Sequence, residues 1–399
     1  MDWSSQIRNK SSLSVSTDSR NLPAGCIFFA LHGESFDGNL FAAEALDKGA
    51  SLVVVDNADV FRSLPHDQAL LVPNTLLALQ ELARDWRREL GMRVIGITGT
   101  NGKTTTKELT AAVLKTRYHL LYTQGNLNNS IGVPLTLLRM TREHNLALIE
   151  MGASHPGDIT ELVNICEPDC GLITNVGKAH LLGFGSFEGV MRTKKELYDY
   201  LAAHGGFCFR NLDNPYLAEM AGDLKTIGYH TGTMLAGTRL VGDYNAENIQ
   251  AALCIGEYFG VERTAGEAAI RAYVPDNNRS QLLHTAGNTL VVDAYNANST
   301  SMTAAINAFK GDTLILGDML ELGDYAAEEH QRIIDMVAER HFRDVFLVGE
   351  EFGRTHSPFR TFTDVEQLRL TLAQHPLSGR TILLKGSHGM HLEKLIEVL

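Results

Sequence analysis

The segment "GITGTNGKTTTKE", residues 96–108, restricts the folds open to this chain more than any other stretch. It includes the end of the apolar run "RVIGIT", which has the composition of a buried strand, and it opens a helical pattern from Lys103 to about Leu114. A glycine-rich turn between a strand and a helix is the usual setting of a phosphate-binding loop. The segment therefore predicts a nucleotide-binding domain built on a parallel α/β sheet.

Each residue type in this loop has a physical purpose. Gly99 and Gly102 allow the backbone to turn so that its N–H groups point inward, and the helix start adds its positive dipole end. Lys103 supplies a cation for the β- and γ-phosphates, and the Thr104 hydroxyl can reach Mg²⁺. Ile97 stands where the commonest form of the motif has glycine, so this is a variant loop. The predicted ATP-binding residues of the loop are Gly99, Thr100, Asn101, Gly102, Lys103, Thr104 and Thr105.

Short apolar runs alternate with amphipathic helical patterns along the chain, which is typical of α/β domains. A first series has "CIFFAL" and "SLVVVD" as strands and ends with the helix "LLALQELARDWRREL". A second contains the phosphate loop and closes at the turn-rich segment "VPDNNRSQ". A third begins at "TLVVDAYNA". We therefore predict an α/β protein of three domains, at residues 1–90, 91–276 and 277–399, with a mainly parallel central sheet and a Rossmann-like third domain.

Charge and composition limit the classes of partner. The formal net charge of −12 argues against a nucleic-acid partner, because such proteins neutralise phosphates with clustered Lys and Arg. The first twenty residues contain no apolar core of a signal peptide, and no run approaches the roughly 18 apolar residues of a membrane span. The five cysteines are scattered and form no zinc pattern. We expect a cytoplasmic monomer that binds small molecules, with no nucleic acid and no membrane span.

Two further residues are candidate ligands of a metal ion. Glu150 ends the apolar strand "LALIEMG", at the edge of the sheet where open α/β folds bind their ligands. A glutamate at the end of a strand is otherwise often only solvated. His180 follows the next strand, in "TNVGKAH", and points to the same edge. Because histidine is an unusual ligand of a hard cation, spacing alone leaves its role open.

Several motifs, in order along nearly the whole chain, resemble the Mur ligases of peptidoglycan synthesis. The central motifs are "GTNGKTTT", "GNLNNSIGVPLTLL", "EMGASHPGDI" and "NVGKAHLLGFGSFEGVMRTKKEL". "NLDNP" and "GDYNAENIQAAL" are similar to the nucleotide-edge motifs of that family. In the third domain, "DAYNANSTSM", "LGDMLELG" and "LLKGSHGMHLE" resemble the MurF branch, which adds D-alanyl-D-alanine. The segment from "STDSR" to "LDKGA" resembles the uridine-diphosphate-binding domain of the MurE and MurF branch.

This resemblance implies an ATP-dependent ligase that joins D-alanyl-D-alanine to UDP-N-acetylmuramoyl-tripeptide through an acyl phosphate. Such a reaction makes a precursor of the cell wall, on which cell shape and division depend. The implied cofactors are ATP and two Mg²⁺ ions, together with a lysine modified to a carbamate. The small-molecule partners would be the UDP-muramoyl tripeptide and D-alanyl-D-alanine. Whether the third residue of the tripeptide is diaminopimelate or lysine stays open.

The resemblance also implies roles for individual residues. Lys103, Glu150, His180 and Lys194 are the implied catalytic residues, and Thr104, Glu150, His180 and the carbamate of Lys194 would hold the metal ions. Periodicity alone does not separate Lys194 from Lys195, but the motif "GVMRTKKE" does, because the lysine of the family falls four residues after the valine.

The remaining implied roles concern contacts with ATP and contacts with the substrate. Those for ATP are Asn211 and Asp213 near the adenine, Arg279 at the γ-phosphate and Asp293 at the ribose. Those for substrate are Ser19, Arg20, Asn126, Asn128, Asn129, Asn296 and Asn298, with a looser expectation for Gly38 and Asn39. Asn248 matches a further family asparagine. Asn214, Tyr244 and His388 depart from the family pattern, in which Asp, His and Arg are usual at these positions.

Three alternatives stay open at this point. A MurE-like ligase is the nearest, although no "DNPR" signature is evident in the third domain. A folylpolyglutamate synthase would not need a UDP-binding first domain. A catalytically silent ATP-binding protein would not need the intact set of Lys103, Thr104, Glu150, His180 and Lys194.

Overall fold

The computed structural model describes residues 11–33, 36–178 and 181–399. Within these ranges the strands form three sheets that follow one another along the chain. Each sheet is covered by helices, so the predicted α/β class with three domains is confirmed. The predicted boundaries near residues 90 and 276 fall between the sheets.

The first sheet is small and parallel, with the order β1-β2-β3-β4. Its strands are β1 Val15–Ser16, β2 Ile27–Phe29, β3 Leu52–Val55 and β4 Ala69–Leu71. Its helices are α1 Ala42–Asp47, α2 Ala58–Ser63 and α3 Thr75–Leu90, and a 3-10 turn at Gly38–Phe41 precedes α1. The predicted helix over "NLFAAEALDKGA" is therefore shorter than expected and begins as a tighter turn.

Helix α3 joins the first domain to the second. Asn74 caps its start by accepting a hydrogen bond from Leu77 N–H, and Gly91 ends it at φ +60°, in the left-handed region. Its Trp86 is fully buried and donates from the indole N–H to Met140 O at 2.9 Å. The apolar cluster around Trp86 takes in Phe29 of the first sheet as well as side chains of the central domain. The first two domains thus share one core.

The central sheet has six parallel strands in the order β10-β9-β8-β5-β7-β6. They are β5 Val94–Thr98, β6 Leu120–Tyr122, β7 Leu146–Glu150, β8 Cys170–Ile173, β9 Phe207–Asn211 and β10 Thr226–Tyr229. The helices are α4 Lys103–Leu114, α5 Gly132–Leu138, α6 Asp158–Cys166, α7 Leu181–Phe184, α8 Phe187–Ala203, α9 Pro215–Ala221, α10 Asn245–Tyr258 and α11 Arg263–Ala272. Strands are added on both sides of β5, which creates a crevice at the carboxyl ends of β5, β7 and β8.

The third sheet has the order β11-β12-β16-β13-β14-β15, in which β11 pairs antiparallel and the other strands pair parallel. Its strands are β11 Gln281–His284, β12 Asn288–Asp293, β13 Thr313–Gly317, β14 Asp344–Val348, β15 Arg360–Phe362 and β16 Arg380–Lys385. Its helices are α12 Ser299–Ala308, α13 Ala326–Ala338, α14 Glu350–Gly353 and α15 Val365–Gln374. None of the helices in the described ranges is long and apolar enough to cross a membrane.

Candidate active site between the central and third domains

The loop after β5 can turn only because two of its residues are glycine. Gly99 has φ +140° and Gly102 has φ +78°. A Cβ atom on Gly99 would lie 2.0 Å from the Thr174 hydroxyl oxygen, and one on Gly102 would lie 2.5 Å from Asn248 Oδ1. Both positions therefore strongly favour glycine. Asn248 packs against the loop and accepts a hydrogen bond from the Thr106 hydroxyl at 3.0 Å, so it supports the loop.

Residues 174–178, here called the β8 loop, hold the phosphate loop in place. Thr100 N–H donates to Asn175 O at 2.9 Å, and Asn101 N–H donates to Asn175 Oδ1 at 3.0 Å. The Thr174 hydroxyl donates to Asn101 O at 2.6 Å. The expectation that the loop N–H groups all point inward is therefore wrong for Thr100 and Asn101, because Asn175 accepts both. An anion is expected at the first turn of α4, where a helix presents amide groups and its positive dipole end.

Lys103 begins α4 and folds back over the loop. Its Nζ donates to Gly99 O at 2.7 Å and to Thr100 O at 3.1 Å. Burial lowers the pKa of Lys103 from 10.5 to about 8, the carboxylate of Glu150 opposes this shift, and the charge of Arg279 adds to it. A phosphate group placed here would supply the anion that the buried ammonium lacks.

Glu150 ends β7 beside the phosphate loop and is almost completely buried. Its Oε1 accepts hydrogen bonds from the Thr104 hydroxyl at 3.1 Å and from Asn128 Nδ2 at 2.9 Å. Among the described residues, its Oε2 has no hydrogen-bond partner. A buried carboxylate oxygen without a partner is costly, and a cation beside it would remove that cost.

The donor set at Glu150 fits magnesium. A carboxylate oxygen and a hydroxyl are hard oxygen ligands, and Mg²⁺ usually takes one or two protein ligands plus water and substrate phosphates. No group of three or more His, Cys, Asp or Glu side chains suited to a metal ion occurs in the described part of the chain. His180, a further predicted ligand, lies outside the described residues.

The structure separates the two adjacent lysines of α8. Lys194 is 2% exposed, and its Nζ lies 5.4 Å from the ring centre of Phe184. Burial, assisted by the charge of Lys103, holds the pKa of Lys194 well below its ordinary value. Lys195 instead points outward, where it pairs with Asp199. The burial of Lys194 and not Lys195 agrees with the register taken from the motif, while the carbamate itself stays a prediction.

Arg279 is carried into the site by a strained turn of the third domain. Its two neighbours, Asn278 and Ser280, have φ +54° and +49°, in the left-handed region that non-glycine residues seldom adopt. The guanidinium carbon of Arg279 lies 4.0 Å from the ring centre of Tyr295, close enough for a cation–π contact. Ser280 N–H donates to Asp293 Oδ1 at 3.3 Å, which fixes one end of the turn.

The phosphate loop, Glu150 and Arg279 line one cleft of about 560 Å³ between the central and third domains, and Lys194 is not part of its wall. The predicted site residues that line this cleft are Thr100, Asn101, Gly102, Lys103, Thr104, Asn126, Asn128, Asn129, Glu150, Arg279 and Asn296. Asn129 also caps α5, by accepting from Gly132 N–H at 2.8 Å. Asn298 caps α12 and donates to Asn101 Oδ1 at 2.8 Å, so the third domain touches the phosphate loop directly.

Asp293 lies beside the cleft and is not part of its wall. Its Oδ2 is 2.8 Å from Nζ of Lys385, a lysine that is 1% exposed. Tyr244, which stands where the family has histidine, reaches across from the start of α10, and its hydroxyl is 2.8 Å from Ser280 Oγ. Tyr244 thus contacts the turn that carries Arg279. The predicted contact of Asp293 with the ribose stays a prediction.

The predicted adenine residues sit at the end of β9, outside this cleft. Asn211 donates from Nδ2 to Glu247 Oε1 at 2.9 Å. Asp213 accepts from Thr231 N–H at 2.9 Å and contacts His230 Nδ1 at 2.6 Å. Asn214 caps α9, a position in which asparagine and aspartate are equivalent, which accounts for its departure from the family pattern.

The first-domain candidates divide into exposed and buried residues. Arg20 pairs with Asp18 at 2.9 Å on the surface, and Ser19 O accepts from Lys48 Nζ at 2.8 Å. Asn39, in contrast, is 1% exposed and bonds through its side chain to Asp56, so it stabilises the fold, and its looser expected contact with the substrate stays a prediction. Gly38 is buried as well, and a Cβ on it would lie 2.4 Å from the backbone oxygen of Leu31.

Sequence reasoning missed three functional candidates. Asn175 orders the phosphate loop, Tyr295 holds Arg279, and Asp158 lines the cleft while accepting from the N–H groups of Ser154 and His155 at 2.8 Å. All three lie within segments that the family resemblance includes. Their individual roles need side-chain geometry that spacing does not give.

Comparison with known protein families covers most of the chain. Residues 13–87 match the "Mur ligase family, catalytic domain", residues 97–235 match the "Mur ligase middle domain", and residues 278–388 match the "Mur ligase, glutamate ligase domain". A UDP-N-acetylmuramoyl-tripeptide--D-alanyl-D-alanine ligase of Bacillus subtilis is 34% identical, over 96% of this chain and 92% of the relative. The ligase of that name from Escherichia coli is 33% identical, over 96% and 93%.

Solved structures give the same picture. MurF ligase from Thermotoga maritima, solved in complex with ADP, superposes with a TM-score of 0.86 at 25% identity and covers 98% of each chain. MurF from Acinetobacter baumannii superposes with a TM-score of 0.83 at 28% identity, over 96% of this chain and 92% of that one. Both similarities extend over all three domains.

Proposed function

The chain belongs to the Mur ligase family, and we propose that it is the ligase that adds D-alanyl-D-alanine to UDP-N-acetylmuramoyl-tripeptide with ATP. The observation that carries the proposal is the cleft, in which Lys103, Thr104 and Glu150 of the central domain face Arg279 of the third. Such a ligase would work in the cytoplasm, where ATP and nucleotide-linked precursors are made.

The chemistry explains why ATP is needed. A carboxylate and an amine do not condense in neutral water, because an oxide ion is too poor a leaving group. Transfer of the γ-phosphoryl group to the carboxylate gives an acyl phosphate and ADP. The amine of D-alanyl-D-alanine attacks the acyl carbon, loses a proton, and expels phosphate from the tetrahedral intermediate. The main work of the protein is to align the reactants and to place cations around a crowded anionic centre.

Two side chains would provide cationic charge from the protein itself. Lys103 turns from its loop carbonyls to the β- and γ-phosphates, because an anion compensates its burial penalty better than a neutral oxygen does. Arg279, held on the ring of Tyr295, approaches from the opposite wall. The ammonium and the guanidinium then stabilise the charge that develops on the transferred phosphoryl group.

Glu150 and Thr104 would hold a Mg²⁺ ion, which neutralises phosphate charge when it is bound. This assignment is supported by Glu150 Oε2, for which the described residues offer no hydrogen-bond partner. Lys194 would carry the carbamate: carbon dioxide adds only to a neutral amine, and the buried site of Lys194 favours that form. The modified group would supply oxygens for a second Mg²⁺ ion.

The substrate side of the cleft is lined by amide groups. Asn126, Asn128 and Asn129 come from the central domain, and Asn296 comes from the third. Their paired donors and acceptors suit a peptide backbone. Ser19 and Arg20 of the first domain remain our candidates for the UDP end of the same substrate, and Asn211 and Asp213 remain our candidates for the adenine.

Phosphate release in the presence of ATP and UDP-muramoyl tripeptide tests the proposal. We expect release that depends on both substrates and on D-alanyl-D-alanine, with a product one dipeptide heavier by mass spectrometry. D-alanine, glutamate and diaminopimelate serve as competing acceptors. The tripeptides with lysine and with diaminopimelate should be compared in parallel.

The alternatives predict different products. Addition of a diamino acid to a UDP-muramoyl dipeptide would identify a MurE-like enzyme, and addition of glutamate to a folate would identify a folylpolyglutamate synthase. ATP binding without phosphate release under any of these conditions would indicate a silent binding protein. Any of these results would reject the proposed reaction.

A further inference from the structure

The β8 loop contacts the third domain as well as the phosphate loop. Lys178 Nζ lies 3.1 Å from Oε1 of Glu329, which belongs to α13. One residue earlier, a Cβ on Gly177 would lie 3.2 Å from the Thr300 hydroxyl oxygen, so the start of α12 approaches this loop closely. One short segment of the central domain therefore touches both the phosphate loop and the third domain.

The two members of the ion pair differ in their surroundings. The Glu329 side chain is 2% exposed, whereas that of Lys178 is 55% exposed. The other oxygen of Glu329, Oε2, is 2.9 Å from Nε of Arg332 on the same helix. Burial alone would raise the pKa of Glu329, but the side chains of Ser299, Lys178 and Arg332 together hold it below its ordinary value. Glu329 is therefore a buried anion that draws one of its two cations from the other domain.

We propose that Lys178 and Glu329 are positioning residues, whose ion pair holds the third domain against the β8 loop and thereby sets Arg279 over the phosphate loop. Arg279, α12 and α13 belong to the same domain, so a contact that fixes α13 also fixes the turn of Arg279. The kinetic part of this inference rests on the proposed ligase function, while its conformational part does not.

The Lys178–Glu329 pair can affect the phosphate loop because the β8 loop contacts both that loop and the third domain. Asn175 orders Thr100 and Asn101 from the central domain, and Asn298 of the third domain donates to Asn101 Oδ1 at 2.8 Å. The position of the third domain and the shape of the phosphate loop are thus coupled, both through the β8 loop and through the direct contact of Asn298 with Asn101. Loss of the Lys178 contact should populate arrangements in which the third domain has moved away from the nucleotide.

The test uses the full-length protein with Lys178→Ala, Glu329→Gln and the double variant. We expect kcat/KM for ATP to fall roughly fivefold in Lys178→Ala, the size typical of a half-exposed ion pair, which corresponds to about 1 kcal/mol. Small-angle X-ray scattering with a non-hydrolysable ATP analogue should show a larger radius of gyration than for the wild type. In a Glu329→Gln background, Lys178→Ala should have little further effect.

Lys195→Ala is the matched control, because Lys195 is also a partly exposed lysine but pairs with Asp199 within α8. It should leave both kcat/KM and the radius of gyration unchanged. The inference is overturned if Lys178→Ala behaves like Lys195→Ala, or if the effects of Lys178→Ala and Glu329→Gln simply add. Because Lys178 is exposed, its variant should fold. Absence of ligase activity in the wild type would reject the proposed function, and the scattering comparison would still decide whether the ion pair holds the domains together.

Discussion

Replacing Lys103 with methionine should remove activity without removing stability. Methionine keeps much of the volume and the flexibility of the lysine stem but has no charge. Loss of one such group from a preorganised anion site typically costs roughly 3–4 kcal/mol of transition-state stabilisation. We therefore expect kcat/KM for ATP to fall by about 10²- to 10³-fold.

The pKa of Lys103 predicts the effect on stability. A shift from 10.5 to about 8 means that folding disfavours the ammonium by about 3 kcal/mol at neutral pH. Lys103→Met removes this penalty but also removes two hydrogen bonds to loop carbonyls, each worth about 1 kcal/mol. The two effects nearly cancel, and thermal unfolding should shift by no more than roughly 5 °C. Because the folded-state pKa is the lower one, the penalty is fully present below pH 8 and disappears as the pH rises towards 10.5.

The assay combines phosphate release with thermal unfolding at pH 7 and pH 9. Lys115→Met, at the exposed C-terminal end of the same helix, is the control and should retain turnover. Wild-type turnover by folded Lys103→Met would refute the assignment of the phosphate loop. A loss of stability of several kcal/mol at pH 7 would refute the reasoning that burial destabilises this ammonium.

Three further predictions concern the candidate active site. Lys194→Ala should be nearly inactive, and acetate or formate should partly restore its activity by filling the oxygen site of the carbamate. Lys195→Ala should retain most activity. An inactive Lys195→Ala together with a fully active Lys194→Ala would contradict this prediction. The affinity for an ATP analogue, measured by calorimetry, should weaken as the pH rises through about 8 because Lys103 loses its proton, and a flat profile between pH 7 and 9 would exclude that role. The radius of gyration should decrease when an ATP analogue and the UDP-substrate bind together, and an unchanged value at saturation would argue against a site shared between domains.

Much of the fold followed from the sequence because its signals are local. The apolar run before the phosphate loop became β5, and the helix predicted from Lys103 to Leu114 has these bounds. Short elements with weak apolar patterns were missed. Strand β11 pairs antiparallel at an edge and alternates between half-buried and exposed residues, so its sequence does not have the apolar character of the buried strands.

The sequence indicates which residues belong to the candidate site, but it does not indicate which of them contact one another. Glu150 followed from its position at the end of a strand. That one of its oxygens has no partner in the described part of the chain depends on where Thr104 and Asn128 lie in space. The burial of Lys194 was not determined by helical periodicity, which fits either lysine. The Lys178–Glu329 pair joins residues 151 positions apart in the sequence, and no local sequence pattern predicts a contact between them.

The core shared through α3 determines which parts of the molecule can be separated. Limited proteolysis in the stretch that leads to the strained turn of Arg279 should release a stable carboxyl-terminal fragment, since the third sheet has apolar clusters of its own. A cut after α3 should instead leave two aggregation-prone pieces, because it would part Trp86 and Phe29 of the amino-terminal piece from the central-domain side chains that pack against them. We therefore expect the two amino-terminal domains to be expressed and degraded as a single unit.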